Sequence, residues 1–510
     1  MFVETSINTL PLELLSAIFT HVRDSKNGQE SIGQCRLVSR RFREHASVLL
    51  INEITVRLSS ESFTDLETIA SHPVFSKGVK RVNINASFYE AELAQNKQMY
   101  MAEARSRLLR HWETMERMRQ YRKRYEVSDE LFNWLGEIAW GGSSDLQQLI
   151  GGDALETAPT PIQILFLRMY DMYVARFDDQ ETLRKDNAHI GRLANALSSL
   201  PGLMSLNLDD THGQRILSKT AQLGNGNLAP EDFEDTGFNR DVLQHFDNGI
   251  RQSSWSGSFH TNGNRRHNGE VEASTTPPVE MLGELCSQLA EKGIRPKEFK
   301  ISLKPPPDMR VLTITSVQQE RMEQLVSHAS SLTFHFDFFA RPHSLQENPR
   351  HEMLALCSIT KPFFSAPHLQ TLEIYFKEYP RNIINDSEPT VSLNEILPLD
   401  MTWPQLETLR LKYQPMTIDE LRSLVSRQRE SVRHLDLTSL WLLTGSVYDV
   451  LEAARGFSKL EKVIMPFPKG SGFEGTGTLD FEWPAEEISR YLLRETDVHP
   501  LGDELVYKRR

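Results

Sequence analysis

The sequence predicts an α/β protein: a short all-helical start, then strand–helix units with parallel strands, interrupted by a helical insertion. Three observations predict it. Apolar residues recur at helical spacing across residues 10–46. Short segments with apolar residues at positions 1, 4 and 6 return again and again between helical stretches. Between Leu369 and Leu460 the first positions of these segments lie 37, 26 and 28 residues apart, a spacing that suits one strand plus one helix per unit.

The helical start comes first. Pro11 sits where a first helical turn tolerates it, because the N–H it lacks would be unpaired there anyway. Leu14, Ile18 and Val22 follow at i, i+4 and i+8, with Leu15 and Phe19 alongside, so one helix carries a broad apolar stripe. The stretch DSKNGQES breaks that helix with turn chemistry. Cys35, Val38, Phe42 and Ala46 then line a second helix, with Arg36, Arg40, Arg41 and Arg43 facing mostly to water. About forty residues are too few to bury that much apolar surface alone. The excess calls for a partner.

These residues resemble an F-box, the helical module that binds the Skp-type adaptor of SCF ubiquitin ligases. Leu10-Pro11-x-Glu13-Leu14-Leu15-x-x-Ile18-Phe19 is similar to the family's opening, and Leu37-Val38-Ser39-Arg40-Arg41-Phe42 to its close. The chain departs from the pattern in carrying Phe42 where Trp is more frequent, and in a long turn over residues 23–31. The resemblance implies adaptor contacts at Leu10, Pro11, Leu14, Leu15, Ile18, Val38 and Phe42.

The strands come next. Val79-Val82-Ile84, Leu203-Leu206-Leu208, Leu369-Leu372-Ile374, Leu406-Leu409-Leu411, Val432-Leu435-Leu437 and Leu460-Val463-Met465 share one pattern; Phe299-Ile301-Leu303 and Leu332-Phe334-Phe336 are looser copies. The pattern resembles the L-x-x-L-x-L core of leucine-rich repeats, which implies a solenoid with each strand adding to a parallel sheet. No Asn or Cys follows at the ninth position, so the expected solenoid is irregular. Thr64-x-x-Glu67 and Thr417-x-x-Glu420 read as capping boxes, and Gly293 and Gly456 as left-handed helix stops.

The chain therefore divides into an F-box-like segment at 1–50, first repeat-like units at 51–208 with a helical insertion at about 86–200, a polar insertion at 209–278, and a leucine-rich-repeat-like domain at 279–510. In the helical insertion Met101, Ala104, Leu108, Trp112, Met115 and Met118 trace one stripe, flanked by Glu103–Arg107 and Glu113–Arg117 pairs. The stripe either packs on its own domain or grips a partner helix. A further helix is expected from Ile162 to Phe177. The polar insertion, rich in Gly, Asn, Ser, Asp and His, has too little aliphatic periodicity to offset its ordering entropy and is expected to be a mobile loop or disordered.

Composition excludes several classes. The 510 residues carry a formal net charge of -12, with a sequence pI near 5.8, so nothing global favours nucleic acid or an anionic membrane. Three cysteines, Cys35, Cys286 and Cys357, stand far apart; that usage fits a reducing compartment and excludes a cysteine-based zinc module. No apolar run approaches the roughly 18 to 20 residues of a membrane span, and the N-terminus lacks the basic start and apolar run of a secretory signal. The expected setting is the cytoplasm or nucleus.

Chemical motifs are scarce. Gly470-Ser-Gly472-Phe-Glu-Gly475 satisfies GxGxxG, but Pro466 and Pro468 precede it and a strand-like stretch follows, whereas a dinucleotide site needs that turn to open a helix. His260 and His267 fall in the polar insertion, without the rigid support a metal site needs. No catalytic constellation, metal site or cofactor is expected. Residues 117–124, RMRQYRKR, form the strongest basic run, best read as a solvated helix face.

The expected function is substrate recognition in an SCF-type ligase: the N-terminal segment docks on the Skp-type adaptor, which links to the cullin and its RING partner, and the repeat domain holds an unidentified protein target. Tyr375, Tyr379, Tyr413, Trp441 and Phe467 are candidate target contacts, because aromatic residues dominate interface energies. A scaffold that binds the adaptor without joining a ligase is the alternative. A nucleic-acid-binding repeat protein using the basic run is a further one, against which the acidic balance argues.

Overall fold

The computed structural model describes residues 7, 10–25, 27–117, 161–210, 253–256, 277–338, 349–377, 391–466, 469–470 and 484–501. It is an α/β protein. A helical N-terminal module leads into a nine-stranded, all-parallel sheet.

The module has three helices where two are expected: α1 (Leu12–Arg23), α2 (Gly28–Val38) and α3 (Arg40–Val48). The turn between α1 and α2 is shorter than the predicted one, and the helical stretch after it is broken at Ser39. Ser39 is extended, and its hydroxyl accepts from the Phe42 N–H at 3.2 Å, so it caps α3 and ends α2 in one residue. Leu15, Phe19, Ile32, Phe42 and Ala46 form the module's own small core. The module seats on the rest of the chain at Gly78, where a Cβ would come within 1.7 Å of the Val48 carbonyl oxygen; the two backbones touch because Gly has no side chain.

The nine strands run β1 (Glu53–Arg57), β2 (Arg81–Asn85), β3 (Ser205–Asp209), β4 (Glu298–Leu303), β5 (Ser331–Asp337), β6 (Thr371–Lys377), β7 (Thr408–Lys412), β9 (His434–Asp436) and β11 (Lys462–Ile464). Each lies beside the strand preceding it in this order. All eight predicted segments are in this sheet. Its first strand, built on Ile54 and Val56, is an addition, as is a second small sheet ordered β12–β10–β8, from Lys469–Gly470, Trp441–Thr444 and Pro415–Thr417.

Alternation decides which face is covered. Phe299, Ile301 and Leu303 in β4, Leu332, Phe334 and Phe336 in β5, and Leu372, Ile374 and Phe376 in β6 are buried against helices in one continuous core. The residues between them face the other way and are wholly or partly exposed in these three strands. Residues at the same register form rows across that open face, one of them Thr55, Asn83, Asn207, Lys300, Thr333, Glu373, Arg410 and Asp436.

The local signals fare unevenly. Thr417 and Glu420 make the predicted reciprocal cap, and Gly293 adopts φ +75° past its helix. Thr64 does not cap: the helix Ser60–Ser71 starts earlier, from Ser59, and the Thr64 hydroxyl bonds back to the Ser60 carbonyl at 2.9 Å. Gly456 is not left-handed; it stands against Val425, where a Cβ would come within 2.6 Å of Cγ1.

Among the described residues the insertion after β2 is helical, with Lys97–Arg117 and Pro161–Arg184 its long elements. Met101 and Ala104 of the methionine stripe are buried within the protein, and Arg107 Nε pairs with Glu103 Oε1 at 2.6 Å. Met118 lies outside the described residues. The last helix of the insertion, Ala188–Ser198, buries Ile190, Leu193, Ala194 and Leu197 in the main core, so it belongs to the layer covering the sheet. Within the polar insertion, Ser253–Ser256 is packed rather than mobile: Trp255 is fully buried.

Candidate functional site

Two surfaces carry the residues singled out by the sequence. The first is a set of exposed apolar side chains on the N-terminal module. Leu14 is 52% exposed, Leu37 74% and Val38 64%, with Leu12 and Ile18 also exposed. Leu14 and Ile18 are one turn apart on α1. Arg41 Nη2 donates to the Leu10 carbonyl, which ties the start of α3, and with it the end of α2, to the start of α1.

The seven predicted adaptor contacts separate into two groups. Pro11, Leu14, Ile18 and Val38 are exposed, and Leu10 is half-buried against the module core. Leu15 and Phe42 are buried inside it, as parts of the module's own core. Leu12 and Leu37 are exposed apolar residues that the prediction missed. The signal for Leu37 was the capping serine two residues later: with α2 ending at Val38, its last turn projects its apolar side chains into water.

The second surface is the open face of the sheet around Glu373. His335 Nε2 lies 3.1 Å from Glu373 Oε1, Lys412 Nζ 3.2 Å from the same oxygen, and Arg410 Nη1 2.9 Å from Oε2. Burial alone would raise the Glu373 carboxyl, but hydrogen bonds from His335 and Arg410 and the Lys412 charge outweigh it and hold the group well below the usual carboxylate range. Lys412 also approaches Asp436 at 3.5 Å, and Lys377 pairs with Asp337 at 3.0 Å. The face is balanced in charge, not basic.

Two predicted aromatic contacts meet here. The Tyr375 and Tyr413 rings are 5.6 Å apart, and Lys412 Nζ sits 5.9 Å from the Tyr375 ring centre. Tyr413 turns outward through a left-handed backbone, φ +59°, and its N–H donates to the Thr438 carbonyl. Trp441 is half-buried on the small sheet, its N–H on the Gln414 carbonyl at 2.9 Å. Tyr379 and Phe467 lie outside the described residues. The ionic residues around Glu373 were also missed, although they occupy the positions alternating with buried Leu and Ile in β5, β6 and β7.

Other predicted motifs give no site. His260, His267, residues 471–475 of the glycine motif and residues 118–124 of the basic run lie outside the described residues. Among the described residues no group of His, Cys, Asp or Glu is placed to hold a metal, and no helix is long and apolar enough to cross a membrane. Burial pushes the Cys286 and Cys357 thiols up to about 12, the behaviour of packed side chains, not nucleophiles. No protein-family model matches the chain, and no curated protein matches it at a significant level.

Proposed function

We propose that this protein is a non-catalytic substrate receptor of an SCF-type ubiquitin ligase. Its N-terminal module is read as an F-box that docks on the Skp-type adaptor, and through it on the cullin and its RING partner, in the cytoplasm or nucleus. The single observation that carries the proposal is the exposure of Leu12, Leu14, Ile18, Leu37 and Val38, left in water by a module that has already filled its own core. A free protein loses by exposing such side chains unless a partner covers them.

The sheet is read as the inner face of an irregular leucine-rich-repeat-like solenoid, and its open side as the surface that holds the target. Tyr375 and Tyr413 supply rigid aromatic area at low entropy cost, and the ion pairs around Glu373 fix the backdrop against which a target is selected. No bond chemistry is asked of the chain. Its contribution is proximity: a target held beside a charged conjugating enzyme reacts at an effective concentration far above that in solution.

The test is co-purification of Skp-type adaptor and cullin with the intact chain and with a Leu14→Ala/Ile18→Ala/Val38→Ala variant. Interface anchors of this type cost about 2 kcal/mol or more each on truncation, so the triple variant should lose both proteins while melting at an unchanged temperature. Retention of the adaptor by the variant refutes the assignment. Adaptor without cullin, in the intact chain, supports the scaffold alternative.

A further inference from the structure

Among the described residues, Ser253–Ser256 bonds to segments far from it in sequence. Ser253 N–H donates to the Phe88 carbonyl at 2.6 Å, and the Phe88 N–H donates back to the Ser253 carbonyl at 2.9 Å, a two-way antiparallel bridge. Trp255 N–H donates to Asp210 Oδ2 at 2.7 Å, and the indole Nε1–H donates to the Ala86 carbonyl at 2.9 Å. The Ser253 hydroxyl donates to Glu90 Oε1 and accepts from Arg107 Nη2 at 3.1 Å. Ser253, Trp255 and Ser256 are all buried.

The groups that receive this tetrapeptide are held in place by other partners. The Ala86 N–H donates to the Asp209 carbonyl at 2.6 Å. Asp210 accepts from the Lys304 N–H at 3.1 Å as well as from Trp255. Arg107 is fixed by Glu103, and the Glu90 N–H donates to the Tyr173 hydroxyl at 2.7 Å. The cradle therefore has its shape from strands β2, β3 and β4 and the inserted helices. The tetrapeptide enters it as an extended ligand enters a receptor, with main-chain bonds for affinity and one deep pocket for a side chain.

We propose that this cradle is a peptide-binding site, selective for an extended Ser-x-Trp segment, and that Ser253–Ser256 is its tethered and dissociable occupant. The indole is selected twice, by its complete burial among apolar side chains and by the Ala86 carbonyl that accepts its N–H. Serine is selected at the first position because its hydroxyl both donates to a carboxylate and accepts from a guanidinium. An acidic side chain there would face Glu90 with like charge. The proposal is independent of the ligase assignment.

Two measurements on the full chain test it. In hydrogen exchange, the amides of residues 253–256 should exchange at least tenfold faster, relative to their intrinsic rates, than those of Phe299 and Ile301, reporting release of the segment while the sheet stays closed. Equal protection in both places would make Trp255 an ordinary core residue and overturn the proposal. In the second measurement, a labelled synthetic peptide with the sequence of residues 250–258 is titrated into the Trp255→Ala chain. Saturable binding is expected, at least tenfold weaker to the unsubstituted chain, whose cradle is filled, and lost when the peptide's tryptophan is replaced by alanine. A folded Trp255→Ala chain that does not bind the peptide overturns the proposal. If that variant does not fold, the exchange measurement decides.

Discussion

Phe19 and Phe42 meet edge to face at the centre of the N-terminal module, their ring centres 5.1 Å apart. The contact joins α1 to α3 and separates two kinds of apolar residue: those that make the module and those the module presents. Phe42→Ala should cost about 3–5 kcal/mol by opening a cavity in a five-residue core. Hydrogen exchange over residues 12–48 should then show the whole module loosened. Leu14→Ala with Ile18→Ala should leave the same amides protected.

Ser39 stops one helix and starts the next. Ser39→Ala should destabilise the module by about 1 kcal/mol, and Ser39→Gly by only a few tenths, because glycine, with no side chain, leaves the freed N–H groups open to water. Urea titrations followed by exchange in α3 distinguish the two. No measurable loss in Ser39→Ala would mean that the hydroxyl of Ser39 is not what stabilises the break.

Glu373 stabilises the open face through a lowered carboxyl. A group of that kind contributes fully above its unfolded value, near 4.5, and the contribution is lost as pH falls below it toward the depressed folded value. Glu373→Gln should therefore cost about 2 kcal/mol at neutral pH, and the gap to the unsubstituted chain should narrow in acid. A gap independent of pH would contradict the ion-pair account.

Asp210 works in the opposite sense. Burial pushes its carboxyl up from 3.8 to about 7, against the hydrogen bonds from Trp255 and Lys304 and the Lys304 charge, with Asp209 adding to the rise. Its protonated form is favoured by the closed cradle, so that contribution is complete below the ordinary value and is lost as pH climbs through about 7. Protection of Trp255, corrected for intrinsic exchange, should fall between about pH 4 and 7. Asp210→Asn should flatten the dependence.

Cysteine reactivity should follow burial. Half-buried Cys35 should be alkylated by iodoacetamide before Cys286 and Cys357, whose thiols stay protonated in the folded chain. Mass spectrometry of partially labelled protein reads the order directly.

The parallel strands were legible because period and burial coincide: Leu332-Phe334-Phe336 and Leu372-x-Ile374 are apolar wherever the chain faces helices. β1 was missed because Ile54 and Val56 are only two apolar positions in a polar stretch. Thr64 misled because a capping pattern is local, and a competing cap at Ser59 opens the helix earlier in the chain. Tyr375 and Tyr413 could be named from composition, but Glu373 could not, since its ionic partners come from two other strands.

The sequence by itself determined the class of fold, the sheet segments and the apolar excess at the N-terminus, since each is written in the spacing of neighbouring residues. Only the tertiary structure decided which apolar residues are buried inside the module and which are left in water, and that a tryptophan from a polar stretch is buried beside Asp210. Those outcomes depend on contacts between residues far apart in the chain, such as Phe19 with Phe42 and Ala86 with Trp255, and no local period encodes them.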